Sequence, residues 1–223
     1  MKKNLVIGCS NGLSLDKDFT NVFGADDHEW INLSCSGMGN RFITSRLFEY
    51  VDDIGIPDYV YLQYSGLSRI DIACDSNITV PGYKHQLKTE KRTWIGSGGG
   101  KYGAWRGAGQ LTRLFAYQYD IKVDDCNYDL SLHEIFRGIE LCKILNIPYN
   151  WTSYYDYTNL PNERTQGDGR IDRFPDYIDM SNHIGESPLN FAYKRGHIPK
   201  DNIHYSRYIG EQFLISNKDK INL

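Results

Sequence analysis

The amino-acid sequence predicts a three-layer α/β/α domain with a mainly parallel sheet and long loop insertions. Three observations carry this. Short apolar runs of strand length occur at 4–9, 30–35 and 59–64. An amphipathic helical pattern separates the second run from the third. The resulting order of strand, strand, helix, strand in the first third of the chain makes the helix a crossover between strands of one sheet.

Each element follows from a local pattern. Residues 4–9 (Asn-Leu-Val-Ile-Gly-Cys) are short, apolar and broken by glycine, which reads as a buried central strand. Residues 30–35 repeat that pattern after a polar, acidic connection. From Asn40 onward, Phe42, Ile43, Leu47, Val51 and Ile54 recur at helical spacing, and Gly55 with Pro57 supplies a stop. Residues 59–64 form the third strand. A second helix is predicted over 130–145, with Leu132, Ile135, Phe136, Ile139, Leu141, Cys142 and Leu145 on its buried face, followed by a strand at 147–152. At 205–216, Tyr208, Ile209, Phe213 and Leu214 have the spacing of a terminal helix. The two insertions fall near 70–110, polar and glycine-rich, and near 154–187, read as a loop or lid; connections of such length usually cover a site.

Composition narrows the function classes. A chain of 223 residues can bury one substantial core, so a single domain over 1–223 is expected. With 40% hydrophobic and 24% charged residues it has the make-up of a globular protein, not a disordered one. The formal charge of -3 gives no overall field toward nucleic acid or an anionic membrane, so neither is an expected partner. No apolar stretch approaches the ~18 residues of a membrane span. Met1-Lys2-Lys3 runs directly into Leu5-Val6-Ile7, too short a core for a signal peptide, so a soluble cytoplasmic location is expected.

Five cysteines, an odd number with no CxxC pair, point to reduced thiols and away from zinc. His28, His85, His133, His183 and His197 form no i, i+4 pair and no HExxH, and neither a metal nor a cofactor is expected. The run Ile95-Gly96-Ser97-Gly98-Gly99-Gly100-Lys101-Tyr102-Gly103 departs from a phosphate loop, with Ile95 where the first glycine belongs and Tyr102 in the Ser/Thr place. Gly167-Asp168-Gly169 lacks the spacing of a calcium loop. The 17 tyrosines either line a groove for a sugar or another flat ligand, or are partly buried packing residues.

Two places carry chemistry. The first strand breaks into Gly8-Cys9-Ser10-Asn11-Gly12, which sets a serine hydroxyl at a sheet edge, and Asp201-Asn202-Ile203-His204 pairs a carboxylate with an imidazole. A serine becomes a nucleophile when a histidine takes its proton and a carboxylate orients that histidine. Loops at the carboxyl ends of parallel strands gather in one crevice, where such groups meet. The same spacings also suit ordinary roles, Ser10 as a helix cap and Asp201 with His204 as a loop pair. Cys9 reads as packing at the strand end.

These segments resemble the SGNH, or GDSL-like, hydrolase family, and more narrowly its phage-type members, whose first block is similar to Gly8-Cys9-Ser10. The second block of that group resembles Asn32-Leu33-Ser34-Cys35-Ser36-Gly37-Met38-Gly39-Asn40-Arg41-Phe42-Ile43, with Gly39 in place of a serine. The final block is similar to Asp201-Asn202-Ile203-His204 with Gly210 after it. The resemblance implies a flavodoxin-like, SGNH-hydrolase-like fold and a serine-dependent ester hydrolase working through an acyl-enzyme, with a carbohydrate O-acetyl ester as one substrate class. Ser10 is then the nucleophile, His204 the base and Asp201 its orienting carboxylate.

Oxyanion donors would be the backbone amides of Ser10 and Gly37 and the side chain of Asn40. The family's Gly-x-Asn-Asp block is replaced here by Gln63-Tyr64-Ser65-Gly66-Leu67-Ser68-Arg69, in which Tyr64 and Arg69 are the candidate substrate contacts. Expected partners are small-molecule or carbohydrate esters. Two alternatives stay open: a catalytically weak or inactive glycan-binding or virion-associated protein on the same scaffold, and an O-acyltransferase.

Overall fold

A computed structural model describes residues 1–66, 69, 71–77, 86–96, 123–153, 175–197, 205–221 and 223. In chain order the elements are β1 (Lys2–Gly8), a 3-10 turn (Ser10–Ser14), α1 (Leu15–Phe23), β2 (His28–Asn32), α2 (Asn40–Asp53) and β3 (Tyr59–Tyr64). Then come β4 (Asp71–Asp75), β5 (Gln86–Lys88), β6 (Arg92–Gly96), α3 (Val123–Ile144), β7 (Tyr149–Ser153), α4 (Pro188–Lys194), α5 (Arg207–Ser216) and a closing 3-10 turn (Lys218–Lys220).

Four of these strands form a parallel sheet in the order β2-β1-β3-β7. The fold is the α/β one that the sequence predicts, a parallel sheet with helices on both faces. Strand alternation sorts the side chains to two faces. Leu5, Ile7, Val60, Leu62 and Tyr64 pack with α2 and α3. Val6, Tyr59 and Tyr61 pack with α1, α4 and α5. Phe19 of α1 anchors the second face, its ring centroid 4.6 Å from that of Trp30 and 5.0 Å from that of Tyr61. Among the described residues no helix is long and apolar enough to cross a membrane.

Several boundaries differ from the sequence expectation. The polar connection after β1 contains α1, because Leu15, Phe19 and Val22 recur at helical spacing and turn inward over the sheet. α3 begins at Val123, seven residues earlier than 130. The described part of the 70–110 insertion is a three-stranded antiparallel sheet, β4-β6-β5, in which Trp94 is fully buried and meets Phe42 of α2 edge-on. The glycine run beyond Gly96 lies outside the described residues. Of the 154–187 segment, residues 175–187 are described. They run along the edge of β7, where Trp151 N–H donates to Asn182 O (3.1 Å) and Ile184 N–H to Trp151 O (3.0 Å).

α1 and α5 meet at a buried carboxylate. Asp18 is 1% exposed, accepts from Ser14 Oγ (3.2 Å) and pairs with Arg207 Nε (3.2 Å). Burial pushes its pKa up to about 6, against the pull of Ser14 and Arg207. The folded pKa lies above the unfolded value near 3.8, so between these values only the folded state holds the proton. This group's contribution to stability therefore falls as pH rises from 4 to 6. Asp18→Asn is expected to flatten that slope, by up to about 5 °C in Tm between pH 4 and 7. Thermal melts of both proteins across that range check it; identical slopes would refute it.

Candidate functional site

Ser10 opens the 3-10 turn after β1 and is half-buried. β1 lies between β2 and β3, and the chain leaves it for α1 on one face while β2 leads into α2 on the other. Ser10 therefore stands at the switch point of the sheet, where α/β folds bind ligands. Asn32, the last residue of β2, ties this turn to the loop that follows. Its Nδ2 donates to Gly12 O (2.9 Å) and Asp16 Oδ1 (2.9 Å), and its Oδ1 accepts from Ser34 N–H (2.9 Å). Sequence reading quotes Asn32 as the start of a motif but misses this role; a polar residue closing an apolar strand is the signal.

The loop from β2 to α2 stays beside β1 through Cys35 N–H to Gly8 O (3.2 Å). Gly37 adopts φ +78, a left-handed conformation that strains other residues, and so turns the chain toward α2. Asn40, at the first position of α2, is 1% exposed. Its Oδ1 accepts from Ser65 N–H at 2.7 Å, which settles the amide orientation, because a backbone N–H requires an acceptor. Asn40 Nδ2 has no hydrogen-bond partner among the described residues. A buried donor left unpaired costs roughly 1–3 kcal/mol, so this amide is suited to receive an oxygen.

The two expected substrate contacts are placed elsewhere. Tyr64 is 0% exposed, with its ring edge-on to Trp151 and its hydroxyl near Thr44 Oγ1 and Ile135 O, both at 3.4 Å. Strand alternation turns it under α2 and α3, away from the carboxyl-end crevice. Burial raises its pKa well above the usual phenol value. Arg69, 9% exposed, donates from Nη1 to Met38 O (3.0 Å), so its guanidinium serves the main chain of the Gly37 loop. Tyr50, Tyr59, Tyr61 and Tyr149 are likewise buried, which makes them core residues and not a sugar-binding surface.

Asp71, which sequence reading does not single out, caps α2 from β4. It is 5% exposed and accepts from Gly39 N–H (2.6 Å) and Phe42 N–H (2.9 Å). Burial pushes its carboxyl up to about 6, with the two N–H donors, Arg69 and Arg41 opposing. The same burial effect, with Asp71 adding to it, raises the Cys35 thiol and keeps it protonated.

Asp201 and His204 lie outside the described residues, as does Ser68. Tyr205 is described: it packs on Cys9 and accepts a hydrogen bond from Gln63 Nε2 (2.8 Å). Gln63 is in register with Gly8, so Tyr205 is held where β1 and β3 end. A glutamine in the otherwise apolar β3 is the sequence signal for this link. Cys9 is 0% exposed among Leu189, Tyr193 and Tyr205, a packing position. Among the described residues no group of three His, Cys, Asp or Glu side chains could hold a metal ion.

No protein-family model matches the chain, and no curated protein matches it. Two solved structures are similar over nearly its full length. One is an acetyl xylan esterase, AlAXEase, with 13% identity and a TM-score of 0.51, covering 99% of this chain and 100% of that one. The other is the psychrotrophic esterase EstA from Pseudoalteromonas sp., with 12% identity and a TM-score of 0.49, covering 99% and 96%. At this identity the first likeness shows a shared fold.

Proposed function

We propose that this protein is a serine-dependent ester hydrolase, with Ser10 as nucleophile, His204 as base and Asp201 as the carboxylate that orients it. The observation that carries the reading is Asn40: a buried side-chain donor, oriented through Ser65 and unpaired among the described residues, in the same carboxyl-end region as Ser10 and Gly37. A tetrahedral oxyanion requires backbone and side-chain N–H donors beside the serine, and Gly37 and Asn40 are the donors this region offers. A second support is Tyr205, one peptide bond after the proposed base, which packs on the residue preceding Ser10.

In this mechanism Ser10 Oγ attacks the ester carbonyl carbon as its proton passes to His204. The oxyanion is held by the Ser10 and Gly37 amides and Asn40 Nδ2. Collapse expels the alcohol, which takes the proton from His204. Water, giving a proton to His204, then attacks the acyl-enzyme; the carboxylic acid leaves and Ser10 regains its proton. An acetyl ester on a carbohydrate is the first substrate class to test, as the acetyl xylan esterase has this fold.

The 63–69 segment, with no asparagine in it, favours a second reading: a glycan-binding or virion-associated protein with little catalysis. A fluorophosphonate probe separates the two. An adduct located by peptide mass on Ser10 is expected; a well-folded sample without one supports the binding reading. Transfer of the acyl group to an added sugar, in place of release as free acid, would identify an O-acyltransferase.

A further inference from the structure

The antiparallel sheet β4-β6-β5 meets the main body at the end of α2, where Lys91 pairs with Asp52 and Asp53, and at the loop and helix start at 37–42. Four contacts converge on that loop and helix start. Asp71 accepts from Gly39 N–H and Phe42 N–H. Arg69, two residues before it, donates to Met38 O. Gly96, paired with Asp71 in the ladder, lies against Gly37: a Cβ there would overlap the Gly37 carbonyl oxygen and sit 2.8 Å from Met38 Sδ. Trp94 packs edge-on against Phe42 at 5.6 Å between centroids. The same stretch carries Gly37 and Asn40.

We propose that Asp71, with Gly96 opposite it, positions the Gly37 and Asn40 donors for catalysis, which makes the β4-β6-β5 insertion a working part of the active site. This rests on the reading of Gly37 and Asn40 as oxyanion donors.

The chemistry of the contact goes beyond covering a loop. A helix start leaves its first N–H groups unsatisfied, and they are commonly met by a side chain at the cap together with one three residues on. Gly39 has no side chain to cap with. One carboxylate, 32 residues away in sequence, makes both bonds instead, one with each oxygen. An asparagine has one acceptor oxygen and meets one of the two N–H groups. Asp71 is held there although burial works against its charge, a cost that a cap on the exposed surface would avoid. Oxyanion donors have to be held to within about 0.5 Å, and a misplacement of about 1 Å costs about 100-fold in rate. Asp71 and Gly96, neighbours in the ladder, set that tolerance at two points along the loop, Asp71 at Gly39 and Phe42 and Gly96 at Gly37.

The test uses the full chain with Asp71→Asn, which keeps the side-chain volume, and Gly96→Ala, which presses on the loop while leaving Asp71 in place. Readouts are hydrogen exchange of the amides at 37–42, kcat and KM on a small acetyl ester, and fluorophosphonate labelling of Ser10. Both variants are expected to exchange at least about tenfold faster at 37–42 with the central sheet unchanged, and to lose about 100-fold in kcat with KM within about threefold. Wild-type kcat together with faster exchange would reduce Asp71 to a structural cap and overturn the proposal. Unchanged exchange in both variants would overturn the clamp itself. If Asp71→Asn does not fold, Gly96→Ala decides by the same readouts. A wild-type protein that neither turns over ester nor labels at Ser10 overturns the hydrolase reading, and the catalytic role of Asp71 with it; exchange then still reports whether the clamp exists.

Discussion

Ser10→Ala is expected to lower kcat on a small acetyl ester by on the order of 10⁶-fold, with loss of the fluorophosphonate adduct and an unchanged melting temperature. The size follows from the role: without the hydroxyl no acyl-enzyme forms, and only the oxyanion donors and substrate binding remain. The melting temperature stays because Ser10 is half-buried at the start of a turn whose closure uses the backbone of Cys9 and Gly12. His204→Ala is expected to lose a comparable factor. The double variant loses no more than either single one, since a nucleophile and its base act as a unit. Steady-state kinetics on the three proteins check this. Turnover surviving Ser10→Ala would remove Ser10 from the mechanism, and a loss of less than about tenfold in His204→Ala would remove the terminal block.

The second large effect belongs to Asn40. Asn40→Asp retains an oxygen for Ser65 N–H but replaces the Nδ2 donor by an acceptor. Loss of one oxyanion donor lowers kcat by about 10²–10³-fold, or roughly 3–4 kcal/mol, with little change in KM because the charge develops only in the transition state. The competing role for Asn40 makes the opposite forecast. A residue that only begins α2 tolerates aspartate well at the positive end of the helix dipole. Unchanged kcat in a variant that melts normally would therefore assign Asn40 to the helix alone. Asn40→Ala is the weaker experiment, because it also strips Ser65 N–H of its acceptor and mixes stability with catalysis.

The framework was readable locally. The strand Tyr59–Tyr64 and the start of α2 at Asn40 match their predicted bounds, because an apolar run or a 3.6-residue period reports which face is buried whatever it is buried against. Ser10 was likewise legible, since a strand that breaks into Gly8-Cys9-Ser10 ends at a sheet edge in any parallel arrangement. α1 carried the same helical period in Leu15, Phe19 and Val22, but its many polar residues hid it.

What a residue touches was decided by the fold. Tyr64 and Arg69 have the chemistry of ligand contacts, yet alternation along β3 turns Tyr64 into the core and the Met38 carbonyl engages Arg69. The antiparallel sheet within the insertion could not be read, because its pairing joins segments whose register is set across the chain. Asp71 is the sharpest case. One aspartate in a polar stretch has no local signature, and its two hydrogen bonds to Gly39 and Phe42 exist only once the insertion folds back on the start of α2. The sequence alone therefore determined the layers of this protein and the place of its serine, because periodicity and chain breaks are local; the tertiary structure alone decided which groups hold the loop beside it, because capping and close packing depend on residues far apart in the chain.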